Sequence, residues 1–159
     1  AAVRYPRGKG PGASLETELG TLPIGKADVV REGSGIAILA FGTMLEAARQ
    51  AANKFNATLV NMRFIKPLDE ELITRLAASH QLLVSIEENS VLGGAGSAVA
   101  EFLNNQGIHT PLVQHGLPDQ YIEHATREEQ LAQCQLDPDG IENFLQKYYT
   151  GSIAQSAVL

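Results

Sequence analysis

The sequence predicts an α/β fold on a mostly parallel sheet covered by helices on both faces. Three observations carry this. Short apolar runs alternate with stretches of helical periodicity from Lys26 to about Gln114, the pattern of right-handed strand–helix–strand crossovers. The runs Ile36–Phe41 and Leu82–Ile86 are close to continuously apolar, as strands buried on both faces require. The stretch Leu82–Leu103, LLVSIEENSVLGGAGSAVAEFL, passes from strand through Glu87, Glu88 and Asn89, then through Gly93, Gly94 and Gly96, into a helix. That unit builds the carboxyl edge of a parallel sheet.

In chain order, Val3 and Tyr5 alternate with Arg4 before Pro6 stops the ladder, so residues 1–8 read as the end of a strand. Gly8, Gly10, Pro11, Gly12, Gly20, Pro23 and Gly25 punctuate the next stretch, which reads as a linker. A strand succeeded only by a linker needs sheet partners ahead of Ala1. The expectation is therefore a fragment, and no initiator Met stands at the start. Ala27–Arg31 is half-polar and suits a sheet edge; Ile36–Phe41 suits the centre. Thr43 and Glu46 have capping-box spacing before a helix with Met44, Ala48, Ala51 and Phe55 on one face. Thr58–Met62 is the next strand. Asp69, after Pro67, caps a helix carrying Leu72, Ile73 and Leu76. In the helix of the central unit, Val99, Phe102 and Leu103 share a face, and a short strand comes next around Leu112–Gln114. Beyond Pro118 the alternation stops. Thr126 and Glu129 form a second capping box, and Asp137-Pro138 opens a last helix with Ile141, Phe144, Leu145 and Tyr148 inward.

Composition narrows the function classes. A chain of 159 residues, 44% of them hydrophobic, holds one domain with some length to spare. A net charge of −6 argues against a nucleic acid or an anionic membrane as main partner, since both need a basic face. The single cysteine, Cys134, excludes an intramolecular disulfide and fits a reducing compartment, the cytoplasm or a plastid stroma. No apolar run approaches the ~18–20 residues of a membrane span, and the first residues lack the apolar core of a signal peptide.

The candidate sites each have a plainer reading. Gly94-x-Gly96 hints at a dinucleotide loop, but Val99 stands where a third Gly or Ala belongs. Two preceding carboxylates would also repel a pyrophosphate. Gly94 and Gly96 read better as a turn and a close helix approach, although the free N–H groups of that helix start could hold a carboxylate or sulfate. Glu87 and Glu88, being adjacent on an extended chain, point to opposite sides and so would not act on one substrate. One of them is expected to accept hydrogen bonds from the ensuing turn or from a neighbouring chain. His80, His109, His115 and His124 show no metal-ligand spacing, and Cys134 on a capped helix reads as a structural thiol. Asp139-Gly140 comes after Pro138 at a helix start and is no metal-diphosphate motif. Arg7, between Pro6 and Gly8 just past a strand end, can present its planar fork to an anion or remain a solvated linker residue.

RYPRG, LPIGKADVVREG, ILAFGTM, LVNMRFIKPLDEELI, VSIEENSVLGGAGSAV and HGLPDQYIEH occur in this order between Ala1 and about Tyr149. Together they resemble the carboxyl-terminal part of the transketolase-like family of thiamine-diphosphate enzymes. The resemblance implies that residues 1–8 are the last strand of a preceding pyrimidine-binding domain, 9–22 a linker and 23–149 the third domain; residues 150–159 lie outside it and, being small and polar until the last two, read as a loose tail. It implies a three-layer α/β/α domain with a five-stranded sheet, mostly parallel, whose one antiparallel edge strand is Ala27–Arg31. It implies that thiamine diphosphate and Mg2+ are held by upstream domains and not by this chain, which would be inactive alone, and that the whole enzyme is a homodimer. The similarity is to members that join pyruvate and glyceraldehyde 3-phosphate with loss of CO2, and Arg7 matches the family arginine that holds the triose phosphate. The Glu87, Glu88, Asn89, Gly94 and Gly96 loop is the candidate dimer or anion contact. The equivalent domain of a transketolase or of a 2-oxo-acid dehydrogenase beta subunit, and an independent anion-binding module built on the Gly94–Ser97 helix start, remain alternatives.

Overall fold

The computed structural model describes residues 20–156, together with Ala2 and Gly12, with side chains through Tyr149. Arg7 lies outside the described residues. Five strands, β1 (Asp28–Arg31), β2 (Ile36–Ala40), β3 (Thr58–Asn61), β4 (Leu82–Ser90) and β5 (Leu112–Leu117), form one sheet in the order β1-β3-β2-β4-β5. β1 pairs with β3 antiparallel at the edge; the other three pairings are parallel. This is the mixed five-stranded sheet that the family resemblance implies.

The two-residue period of a strand sorts the core into two layers. Ile36, Ile38 and Ala40 of β2, with Leu82, Val84 and Ile86 of β4, face α1 (Met44–Lys54) and α5 (Pro138–Ser156). Ala37 and Leu39 of β2, with Leu83 of β4, face α2 (Glu70–Ser79) and α3 (Ala95–Asn105). The result is helix–sheet–helix layering, with β2 and β4 buried on both faces, as their apolar runs require.

Helix starts test the capping readings. Asp69 accepts a hydrogen bond from the Leu72 N–H, and Thr126 with Glu129 forms the reciprocal capping box of α4 (Arg127–Gln133). The box expected at Thr43 and Glu46 does not form. Thr43 has helical backbone angles and makes no side-chain cap bond. Its hydroxyl instead donates to Glu88, and Glu46 pairs with Arg49 along the same helix. Another element thus claims the Thr43 side chain, and the next turn of its own helix claims that of Glu46.

β5 is longer than its apolar run. Its His115 is buried, stacks on Phe144 of α5 with ring centroids 4.0 Å apart, and places Nε2 2.7 Å from the Gln135 carbonyl oxygen. That one side chain ties the turn between α4 and α5, and α5 itself, to the sheet. α5 continues through Ser156, past Thr150 where the loose tail was expected to begin. No helix among the described residues is long and apolar enough to cross a membrane.

Candidate functional site at the carboxyl edge of the sheet

In an open α/β sheet, ligands bind outside the carboxyl ends of two adjacent strands whose next helices depart to opposite faces. Here those strands are β2 and β4, since α1 lies on one face and α3 on the other. The crevice is bounded by Phe41–Thr43 after β2 and by Glu87–Gly94 after the apolar part of β4.

A bulge shapes the second boundary. Three residues, Glu87–Asn89, stand between the paired Ile86 and Ser90, opposite the single Gly116 between His115 and Leu117. Such irregularities twist a strand and re-aim its side chains. Gly116 is needed there because a Cβ would sit 2.7 Å from the Asn89 carbonyl oxygen. β4 therefore continues to Ser90 through residues that the sequence alone reads as a polar loop.

Glu87 turns inward and is 3% exposed. Its carboxylate accepts hydrogen bonds from the Ala95 N–H at 2.7 Å and the Gly96 N–H at 2.8 Å. The helix start that could have taken an external anion is thus filled by the chain's own carboxylate, which also meets the positive end of the helix dipole. Gly94 and Gly96 are the consequence. A Cβ at Gly94 would collide with that carboxylate and with the Ser90 carbonyl, and one at Gly96 would collide with Ser85 Oγ. Ser85 Oγ is the one buried side-chain polar atom without a hydrogen-bond partner among the described residues.

Glu88 turns to the other face, as adjacent residues of an extended chain must. It takes the Arg127 guanidinium in a two-pronged pair, Nε to Oε1 at 3.0 Å and Nη2 to Oε2. Thr43 Oγ1 donates to Glu88 Oε2 at 2.6 Å and accepts from Arg127 Nη2 at 3.3 Å. The hydrogen bond to Glu88 raises the Arg127 guanidinium pKa above its ordinary value. Arg127 and Thr43 were not singled out as site residues from sequence, and no local signal could have found them, because they meet Glu88 across 39 and 45 positions. Asn89 is exposed and lines an open depression of about 550 Å³ with Leu117 and Tyr121.

His80 Nε2 lies 2.8 Å from Thr58 Oγ1, and burial raises the Cys134 thiol pKa above its ordinary value at the end of α4. Asp137 accepts from the Gly140 N–H at the start of α5. No group of three or more His, Cys, Asp or Glu that could hold a metal ion occurs among the described residues. The described residues do not fit a diphosphate with its metal: the one glycine-rich helix start already holds a carboxylate, and a second carboxylate stands beside it.

The transketolase C-terminal domain model matches residues 25–141. The chain belongs to that family. It is 54% identical over 148 residues to the 1-deoxy-D-xylulose-5-phosphate synthase of Nitrosococcus oceani and 60% identical over 141 residues to that of Thioalkalivibrio sulfidiphilus. These alignments cover 93% and 89% of this chain but 23% and 22% of the synthases. The chain therefore spans less than a quarter of the length of the relatives it matches. Among solved structures, a split-gene transketolase in an inactive beta4 tetramer superposes with a TM-score of 0.74 at 32% identity, covering 82% of this chain and 44% of that one.

Proposed function

We propose that the chain is the carboxyl-terminal domain of a 1-deoxy-D-xylulose-5-phosphate synthase, where it serves as architecture for the upstream domains and for a homodimer. On this reading the whole enzyme is a transferase. It condenses pyruvate and glyceraldehyde 3-phosphate with loss of CO2 to give 1-deoxy-D-xylulose 5-phosphate, a precursor of isoprenoids, thiamine and pyridoxal. Thiamine diphosphate and Mg2+ belong to the upstream domains, and Arg7 supplies this chain's one contact to substrate, the triose phosphate. The observation that carries the structural role is the closed crevice: Glu87 fills the α3 start, and Glu88, Arg127 and Thr43 satisfy one another. The identity of 54–60% to synthases, against 32% to the split-gene transketolase, favours a synthase over other members of the family. Leu92, exposed in the Glu87–Gly96 loop, supports that loop as part of the dimer contact.

The test has two arms. Calorimetric titration of the chain with thiamine diphosphate and Mg2+ is expected to give no saturable heat, and a saturable signal overturns the architectural role. In the full-length enzyme, Arg7→Ala is expected to lower efficiency with glyceraldehyde 3-phosphate by about tenfold to several-hundredfold, the worth of lost charge-assisted hydrogen bonds. Unphosphorylated glyceraldehyde should be little affected. Equal losses with both acceptors would make Arg7 a structural brace.

A further inference from the structure

Six large apolar side chains are exposed among the described residues, and three of them, Leu22, Ile24 and Ile65, sit on two segments that meet at one corner. That corner is the carboxyl end of β3, where the antiparallel β1 begins: Asp28 pairs with Asn61. The segments are held there. Gly25, buried at a φ of +72°, lies against Pro67 so closely that a Cβ would come within 2.8 Å of Pro67 Cγ. The Ala27 N–H donates to Asp69 Oδ2 at 2.9 Å, and Lys26 pairs with both Asp69 and Glu71. Ile24 and Ile65 are 77% and 57% exposed although each stands within two residues of these anchors. Isolated surface apolar residues need no explanation, but a group fixed at one corner marks a contact.

We infer that this corner is the docking surface for the part of the same polypeptide that lies upstream of this chain, an inference that rests on the proposed synthase identity. Two arguments select that occupant. The described chain reaches the corner from Gly20, so whatever precedes it arrives beside Leu22 and Ile24, and the synthases matched by this chain have more than three quarters of their length outside the match. Three side chains also fall well short of the roughly 1,000 Å² that a stable interface between free partners buries. A partner joined by a short linker needs far less, because tethering supplies an effective concentration in the millimolar range.

The experiment is cysteine accessibility in the full-length polypeptide, read by peptide mass after timed maleimide labelling. Ile24→Cys and Ile65→Cys are the probes. Ser34→Cys is the reference, since Ser34 is exposed before β2 and beside the start of β3, at the other end of the strands from this corner. Labelling of either probe at least tenfold slower than the reference, at every protein concentration, is the expected result. Equal rates at both probes and the reference overturn the docking surface. Protection that disappears as the oligomer is diluted apart overturns the upstream occupant and assigns the corner to a second copy. Synthase activity of the unmodified enzyme, measured alongside, reports on the functional reading alone.

Discussion

Helices α3 and α4 both begin near the carboxyl edge of the sheet, and a glutamate serves each start. At α4 the glutamate is local: Glu129 reaches back three residues to Thr126 at the surface, where backbone hydrogen bonding from Thr126 holds its carboxyl below the ordinary pKa. At α3 it comes from the strand before, with Glu87 lying eight and nine residues ahead of the two N–H groups that it accepts. The difference stems from burial. A surface start can fall back on water if its cap is lost, whereas a start pressed against the sheet has no substitute acceptor. The α3 start should therefore be the more sensitive of the two.

The sharpest challenge to this contrast is Glu87→Ala, which leaves the Ala95 and Gly96 N–H groups buried without an acceptor. At about 1–3 kcal/mol for each orphaned donor, a loss of about 2–6 kcal/mol is expected from urea unfolding, with Glu87→Gln recovering part. Next comes Gly96→Ala, at about 1–3 kcal/mol of overpacking against Ser85. Ser85→Ala should relieve much of that cost in the double variant, and alone it should be neutral or stabilising, because the Ser85 hydroxyl has no partner to lose. A strictly additive double variant would mean the helix clashes elsewhere. Thr126→Ala at α4 should cost about 1 kcal/mol, in the ordinary range for a lost cap. Should it match Glu87→Ala, burial is not what separates the two starts. Smallest is Glu88→Gln, which weakens a partly exposed ion pair worth less than about 1 kcal/mol. Its effect should shrink further when melting is repeated in high salt.

What could be read from sequence divides along the same line. The capping boxes, the apolar periodicities and the half-polar edge strand are local signals. They placed Asp69, Thr126, Ile36–Phe41 and Ala27–Arg31 correctly because the interactions involved span a few residues. Thr43 failed for the opposite reason: its local signal was correct in form, but Glu88 and Arg127 arrive from other elements and claim it. Glu87 was half legible. That one of Glu87 and Glu88 would accept hydrogen bonds from the turn or from a neighbouring chain is implied by their pointing to opposite sides, yet which one does so, and which N–H groups it meets, depends on the bulge opposite Gly116. The strand pairing behind that bulge leaves no mark in the sequence around Glu87.

The stacking of His115 on Phe144 has a consequence in acid. Burial, the largest influence, and nearby Lys147 both lower the His115 pKa below its ordinary value of 6.5, outweighing the opposing pull of the Gln135 carbonyl. The unfolded chain therefore takes up this proton before the folded one does. Stability from this group is complete above about pH 6.5 and is lost progressively as pH falls below that value toward the lower folded-state pKa. Since the ring is one of the contacts that hold α5 and the preceding turn to the sheet, beside the buried Ile141 and Leu145, acidification should loosen that layer ahead of α2 and α3 on the far face. The domain would then respond to mild acid as a laminate whose outer ply lifts first, with amide exchange in α5 rising while the α2 and α3 amides stay protected.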